Sequence, residues 1–275
     1  MSTYPFERIL LATEHTEFDV GAERVAFAMA KRCGVPLRAV IPVDSNPEYE
    51  VQAPELFLRG EQAAAVKVAS LRERAKEAGV ELDVKVRHGM EAHREIVEEA
   101  TATRTDLIVI RRRGKPGFLS NRLLGEMVSK VIHDASCCVL TVPRNAEFWR
   151  HGILASVGDT PRAQDIAKLA GGIAAVCDLP LTIISIAEHQ NARGRMESLN
   201  SSHLALTSTL TKRVQGRVCD GDPAEQTIAV AKESAADLIV IGRQRYHLIP
   251  FVRGNASFMQ KIIGANDVPT LVVPA

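Results

Sequence analysis

The sequence predicts two α/β domains in tandem, each a five-stranded parallel sheet with helices on both faces. Three observations carry this. Apolar runs alternate with stretches of helical periodicity in the order β-α-β-α-β-α-β-α-β, and that alternation implies a parallel sheet covered on both sides. The order occurs twice: Asp-Leu-Ile-Val-Ile at 106–110 returns at 237–241 and Val142-Pro143 returns as Val273-Pro274, each 131 positions on, while Ile9-Leu10 returns as Ile153-Leu154, 144 positions on. The chain has 275 residues, more than one average domain, and two domains of about 140 residues each could bury roughly two-thirds of their unfolded-chain surface. The expected domains are 1–145 and 150–275, and 144–152 is a linker with the only tryptophan, Trp149.

In the first copy, Arg8 to Thr13 reads as a strand. A helix follows with Ala22, Val25, Ala26, Met29, Ala30 and Cys33 on one face, and Gly34 stops it, as glycine commonly does just past a helix end. Leu37 to Val43 is a strand, residues 44–54 a polar loop, and Glu55 to Ala78 a long helix with Ala64, Val68, Leu71 and Ala75 inward. Leu82 to Arg87 alternates as a strand and His93 to Ala102 reads as a helix. Leu107 to Ile110 is a continuous apolar run, as a strand covered on both faces requires. Residues 111–124 are too polar, and too broken by Gly114, Pro116 and Gly117, to continue it. Gly125 opens a helix with Val128, Val131, Ile132 and Ala135 on one face, and Cys138 to Val142 is the last strand.

The second copy repeats the order. Ile153 to Val157 is a strand, and Thr160-Pro161 has the chemistry of a helix start. Ala163, Ile166, Ala167, Ala170 and Ala174 form the buried face of that helix. Leu181 to Ile186 is a strand, and residues 189–213 are a polar loop and a helix using Leu199, Leu206 and Leu210. Arg217 to Cys219 is a short strand; Asp222-Pro223 starts a helix with Ile228 and Ala231 inward, and Leu238 to Ile241 and Thr270 to Val273 are the closing strands.

The net charge of +1 gives no global pull toward nucleic acid or an acidic membrane. No apolar run is long enough to span a bilayer, and the first residues lack the pattern of a secretory signal. Five cysteines, odd in number and mostly scattered, suit a reduced cytoplasmic protein.

With these residues laid out, both copies resemble universal stress protein domains. The resemblance rests on Ile9-Leu10-Leu11-Ala12, on Gly89 in HGMEAHREIVEEA and on residues 106–143. In the second copy it rests on Ile153-Leu154-Ala155, on residues 221–242 and on VPTLVVP at 268–274. It implies doubly wound domains of the adenine nucleotide alpha hydrolase type, with adenosine-like ligands at the carboxyl edge of the sheet. It also implies pairing of the two domains about a pseudo-twofold axis through Val139–Val142 and Thr270–Val273, and a homodimer. ATP or AMP, with Mg²⁺, is the ligand class. Members that bind ATP have Gly-x-x-Gly, nine residues, then Gly-Ser or Gly-Thr, with an aspartate after the first strand. Glycines let backbone amides approach phosphate, and the helix amino terminus holds it.

Both copies depart from that pattern. In the first, Arg111 stands where the first glycine belongs, ten residues separate Gly114 from Gly125, Glu126 replaces the hydroxyl residue and Glu14 the aspartate. A carboxylate at Glu126 would repel phosphate. In the second, Gly242 matches, Arg245 replaces the second glycine, eight residues precede Gly254, Asn255 replaces the hydroxyl and Gly158 the aspartate. The candidate nucleotide-binding residues are thus Ala12, Glu14, Val43, Gly114, Gly117, Gly125 and Glu126, then Gly242, Arg243, Gly254 and Asn255. Arg111, Arg112, Arg113 and Lys115, with Arg243, Arg245 and Arg253, either assist phosphate binding or are ordinary solvated loop charges.

Other constellations are bland. His88 and His93 lack zinc spacing and are expected to be exposed structural histidines. Cys137-Cys138 is expected to pack as a small hydrophobe. No nucleophile elbow, Walker loop or Gly-x-Gly-x-x-Gly is present, and no aromatics interleave with the arginines to stack bases. The expectation is a stress-response binding module with degenerate nucleotide sites and no catalytic or metal-ligating residues. The alternatives are a slow Mg²⁺-dependent ATP hydrolase or sensor, using Glu126 or Glu14, and an apolar-ligand or partner-binding scaffold with a pocket under Phe118 or Phe251.

Overall fold

Ile9–Ala12 (β1) is the strand around which the first half is built: all four residues are buried. It pairs in parallel on both sides, with Ile9 to Ala12 opposite Leu37 to Val40 and opposite Leu107 to Ile110. The computed structural model describes residues 5–14, 16–45, 54–112, 125–243 and 258–274. After β1 come α1 (Val20–Cys33), β2 (Leu37–Asp44), α2 (Pro54–Ala78), β3 (Leu82–Gly89), α3 (Ala92–Ala102), β4 (Leu107–Arg111), α4 (Glu126–Asp134) and β5 (Cys138–Val142). The strand order is β3-β2-β1-β4-β5, all parallel.

The second half repeats this around β6 (Ile153–Ser156), followed by α5 (Ala163–Cys177), β7 (Leu181–Ala187), α6 (Arg193–Ser208), β8 (Val214–Asp220), α7 (Pro223–Glu233), β9 (Leu238–Gly242), α8 (Phe258–Ala265) and β10 (Thr270–Val273). Its strand order is β8-β7-β6-β9-β10, again parallel. The described residues divide into two compact units, 6–112 with 125–148, and 149–243 with 258–274. In each unit the strand order reverses between the central pair, β1 with β4 or β6 with β9. That switch point opens a crevice beyond the carboxyl ends of the two strands. No helix among the described residues is long and apolar enough to cross a membrane.

The repeated Asp-Leu-Ile-Val-Ile has a structural reason. The leucine-to-isoleucine run is the buried β4 or β9. The aspartate before it pins the chain that enters the neighbouring strand. Asp106 accepts the backbone N–H of Glu7 (3.0 Å) and of Arg8 (3.1 Å). Asp237 accepts those of Arg150 (2.6 Å), His151 (3.0 Å) and Gly152 (3.1 Å). Charge-assisted bonds of this kind are the strong ones. Asp237→Ala is expected to lower the stability of the second unit by about 2 kcal/mol, read as a lower urea midpoint with an unchanged slope.

Helix ends follow local chemistry. Gly34, at φ 67°, closes α1 by donating its N–H to Ala30. Asp222 caps α7, accepting the N–H of Ala224 (2.9 Å) and Glu225 (3.0 Å). These bonds, the Glu225 one foremost, and Lys261 hold its carboxyl below the usual range. The stability this cap contributes is present above the ordinary carboxylate pKa and is lost as pH falls through the lowered one.

The structure departs from the sequence reading in five elements. Thr160-Pro161 forms a turn, and α5 starts three residues later with Arg162 as its N-cap. Strand β8 spans seven residues rather than three; it is an edge strand, mostly exposed, and pairing with β7 defines it more than any apolar pattern. Helix α6 buries Met196, Asn200, His203 and Thr207 rather than Leu199, Leu206 and Leu210. Asn200 donates to Ile183 O (3.1 Å) and Arg217 O (3.2 Å). A Cβ on Gly216 would collide with its Oδ1. His203 is 3 % exposed and burial pushes its imidazole toward the neutral form. On α7 the buried face is Ala224, Thr227, Val230 and Ala231, with Ile228 at its margin. The fifth is Arg111, which belongs to β4 rather than to the loop.

Candidate functional site

In the first unit the crevice beyond β1 and β4 is occupied by the protein's own charges. Arg111 ends β4 opposite Val142 of β5, and its side chain is only 8 % exposed. Its Nη2 donates to Glu14 Oε2 at 2.7 Å and its Nη1 to Thr16 Oγ1 at 2.6 Å, with Asp19 Oδ1 3.4 Å away. The Asp19 side chain is 1 % exposed. Asp19 Oδ2 also accepts the Thr16 hydroxyl at 2.7 Å. Arg111 Nε is buried without a partner among the described residues. The crevice between Ala12, Glu14, Asp19, Ile96, Ile110 and Arg111 keeps a cavity of ≈ 0 Å³. Ordinary small-molecule pockets measure roughly 300–1,000 Å³.

A second buried group adjoins the first. Glu23 on α1 is 2 % exposed and takes Thr13 Oγ1 at 2.8 Å, Lys67 Nζ at 2.5 Å and Arg74 Nη1. Three cations and three carboxylates are thus gathered at one strand edge with no net charge. Sequence reading found Arg111 and Glu14 but missed Asp19, Glu23, Thr16, Lys67 and Arg74. The signal was available: Asp19 and Glu23 lie four apart and flank Ala22 on the face that α1 buries. Acids at core positions need built-in partners.

The same positions in the second unit carry none of this. The repeat sets Val157 at Thr13, Gly158 at Glu14, Ala163 at Asp19, Ala167 at Glu23 and Gly242 at Arg111. Ala163 and Ala167 are buried apolar residues of α5. A Cβ on Gly242 would stand 2.6 Å from Ile166 Cδ1, so glycine there admits α5. The first copy uses the opposite pairing, a small Ala22 on the helix and a large Arg111 on the strand. A Cβ on Gly158 would meet nothing within 4 Å.

The other candidates fall as follows. Ala12 and Val43 are buried at the ends of β1 and β2. Gly125 is the N-cap of α4, at φ −58° and ψ 141°, with no side-chain cap bond. Glu126 is 83 % exposed and pairs with Lys130 at 3.0 Å, on the solvent face of α4 rather than in the crevice. Arg243 donates its backbone N–H to Val273 O at 2.7 Å. Gly114, Gly117, Gly254 and Asn255 lie outside the described residues, as do Arg113, Lys115, Arg245, Arg253, Phe118 and Phe251. For ATP with Mg²⁺, the first crevice does not fit: its acid is paired and its space is filled. In the second, Gly158 stands at the position of Glu14, with nothing within 4 Å of its Cβ position.

His93, expected at the surface, is buried, its Nε2 3.8 Å from Asp134 Oδ2. The apolar face of α3 that carries Ile96 and Ala100 takes His93 inward with it. His88 sets its Nε2 2.6 Å from Glu61 Oε1. The Cys138 thiol is pushed up to about 12, chiefly by burial and then by Cys137 and Asp106, so it packs rather than reacts. No group of three or more His, Cys, Asp or Glu among the described residues is placed to hold a metal ion.

Comparison with known proteins agrees with the architecture. A sequence model of the universal stress protein family matches residues 5–143 and again 151–274. A universal stress protein of Methanocaldococcus jannaschii is 32% identical over 146 residues, 50% of this chain and 83% of that protein. The solved structure of a universal stress protein from Archaeoglobus fulgidus superposes with a TM-score of 0.74 at 18% identity, covering 97% of each chain. Another A. fulgidus universal stress protein, solved in complex with dAMP, covers 45% of this chain and 97% of its own at 16% identity, with a TM-score of 0.37. The chain belongs to the universal stress protein family, with two such domains in tandem.

Proposed function

We propose that this protein is a regulatory binding module of the stress response that holds an adenine nucleotide at a strand-edge crevice without turning it over. The observation that carries the reading is the switch-point crevice between β6 and β9 of the second unit, with an unobstructed Gly158 beside it. Such a crevice, beyond the carboxyl ends of the strands, is where α/β sheets take ligands. The absence of turnover follows from the residues at that crevice. Hydrolysis requires a group to orient water, and the second unit has Gly158 and Ala163 where the first has Glu14 and Asp19.

The test is mass spectrometry of whatever copurifies, followed by incubation with ATP and Mg²⁺ and an assay of released phosphate. An adenine nucleotide bound and recovered intact, and displaced in Gly254→Val, is the expected result. Multiple turnover, or no nucleotide retained or bound, would overturn the reading.

A further inference from the structure

We propose that Arg111 is a built-in occupant of the first unit's ligand crevice, its guanidinium standing where a ligand would, so that a nucleotide has access to the second unit alone. The inference rests on the reading above for its ligand class and goes beyond it in assigning the half.

Arg111, at the last position of β4, lines the switch-point crevice and fills it, whereas Gly242 at the same position of β9 leaves room for Ile166 of α5. A guanidinium is a planar fork of five donors suited to carboxylates. Here the fork is met by Glu14 at 2.7 Å, Thr16 at 2.6 Å and Asp19 at 3.4 Å. These three come from the segment that follows β1, so both acids of that segment are engaged by Arg111. The side chain is nine-tenths buried and Asp19 almost wholly so. A ligand would have to desolvate and repel two carboxylates before it displaced the arginine.

The second unit shows that the fold does not require this arrangement. It builds the same sheet register with Gly242, Gly158 and Ala163 at the three positions. The acids, the arginine and the bonds between them are absent together. The set reads as one device, present in one copy only.

Two measurements test the proposal, one of which needs no variant. In the full-length wild-type protein, the Arg111 Nη protons should exchange slowly and give resolved nitrogen–proton resonances, identified by their loss in Arg111→Lys. Saturating AMP or ATP should leave these resonances in place. If nucleotide shifts or abolishes them, Arg111 moves aside and the proposal fails while nucleotide binding stands. If nucleotide does not bind at all, the functional reading fails and the second measurement decides the proposal. In Arg111→Gly, low millimolar guanidinium should raise the melting temperature by several degrees, by mass action on a vacated guanidinium site. It should not do so in the wild type or in Arg111→Gly/Asp19→Ala/Glu14→Gln. No rescue in the single variant, or equal rescue in the triple variant, would overturn the proposal. Should Arg111→Gly not fold, its refolding yield with and without guanidinium gives the same two outcomes.

Discussion

Arg111→Met is expected to destabilise the first unit by about 3–5 kcal/mol, because it removes one partner of a buried ion pair and leaves the other charges unpaired. Methionine keeps most of the apolar stem, so lost volume contributes little. The cost comes from Glu14 and Asp19, the latter 1 % exposed, which are then left without their cation. In a scanning calorimeter the transition of the first unit should fall by about 10 °C. Adding Glu14→Gln and Asp19→Ala should recover most of the loss, since a buried ion set replaced by neutral residues is often close to neutral in stability. The second unit, built with Gly158, Ala163 and Gly242, already exists in that state. A drop of less than about 1 kcal/mol in the single variant is what an exposed pair gives, and it would mean that Arg111 is solvated.

Gly21→Ala should destabilise by about 2–4 kcal/mol, against the usual trend. Alanine is favoured over glycine inside a helix by about 1 kcal/mol, and Gly21 lies in the first turn of α1. Its Cβ, however, would overlap Pro143 O and stand 2.7 Å from Arg144 O. Both are backbone atoms of the segment that leaves β5, and backbone cannot turn aside as a side chain can. The cost is that of overpacking plus a backbone shift. Gly172→Ala in α5 is the control: nothing lies within 4 Å of its Cβ position. That substitution should stabilise by about 0.5–1 kcal/mol. Urea denaturation of both variants reads the contrast. Equal signs would show that α1 does not sit against residues 143–144 as described.

The fold was legible because its signals are local and repeated. Continuous apolar runs such as Leu107 to Ile110 are what a strand covered on both faces needs, and the aspartate ahead of each run has one geometric task in both copies. The helix faces of α1, α4 and α5 follow apolar periodicity closely. The face of α6 does not. Met196, Asn200, His203 and Thr207 have helical spacing, but three of the four are polar, so a search for leucines selected the wrong stripe. Strand β8 was shortened for a related reason: an edge strand with both faces partly wet carries little alternation.

The candidate site was legible in position but not in state. Sequence placed a crevice after β1 and β4 and named Glu14 and Arg111 as departures from the ATP-binding pattern. It treated them separately, one as a substitute ribose acid and the other as a loop cation. They are each other's partner, at 2.7 Å. A single sequence hides this because the two residues stand 97 positions apart and nothing local couples them. The companion acids were hidden by their place on a helix whose other inward residues are apolar. Acids at Asp19 and Glu23, four apart on that face, are the feature that a polar-aware reading of the helix would have caught.

Calorimetric titration of the protein with AMP, and with ATP and Mg²⁺, counts the sites open to nucleotide. One nucleotide should bind per chain and be recovered unhydrolysed. Two nucleotides per chain, or sustained phosphate release, would contradict it.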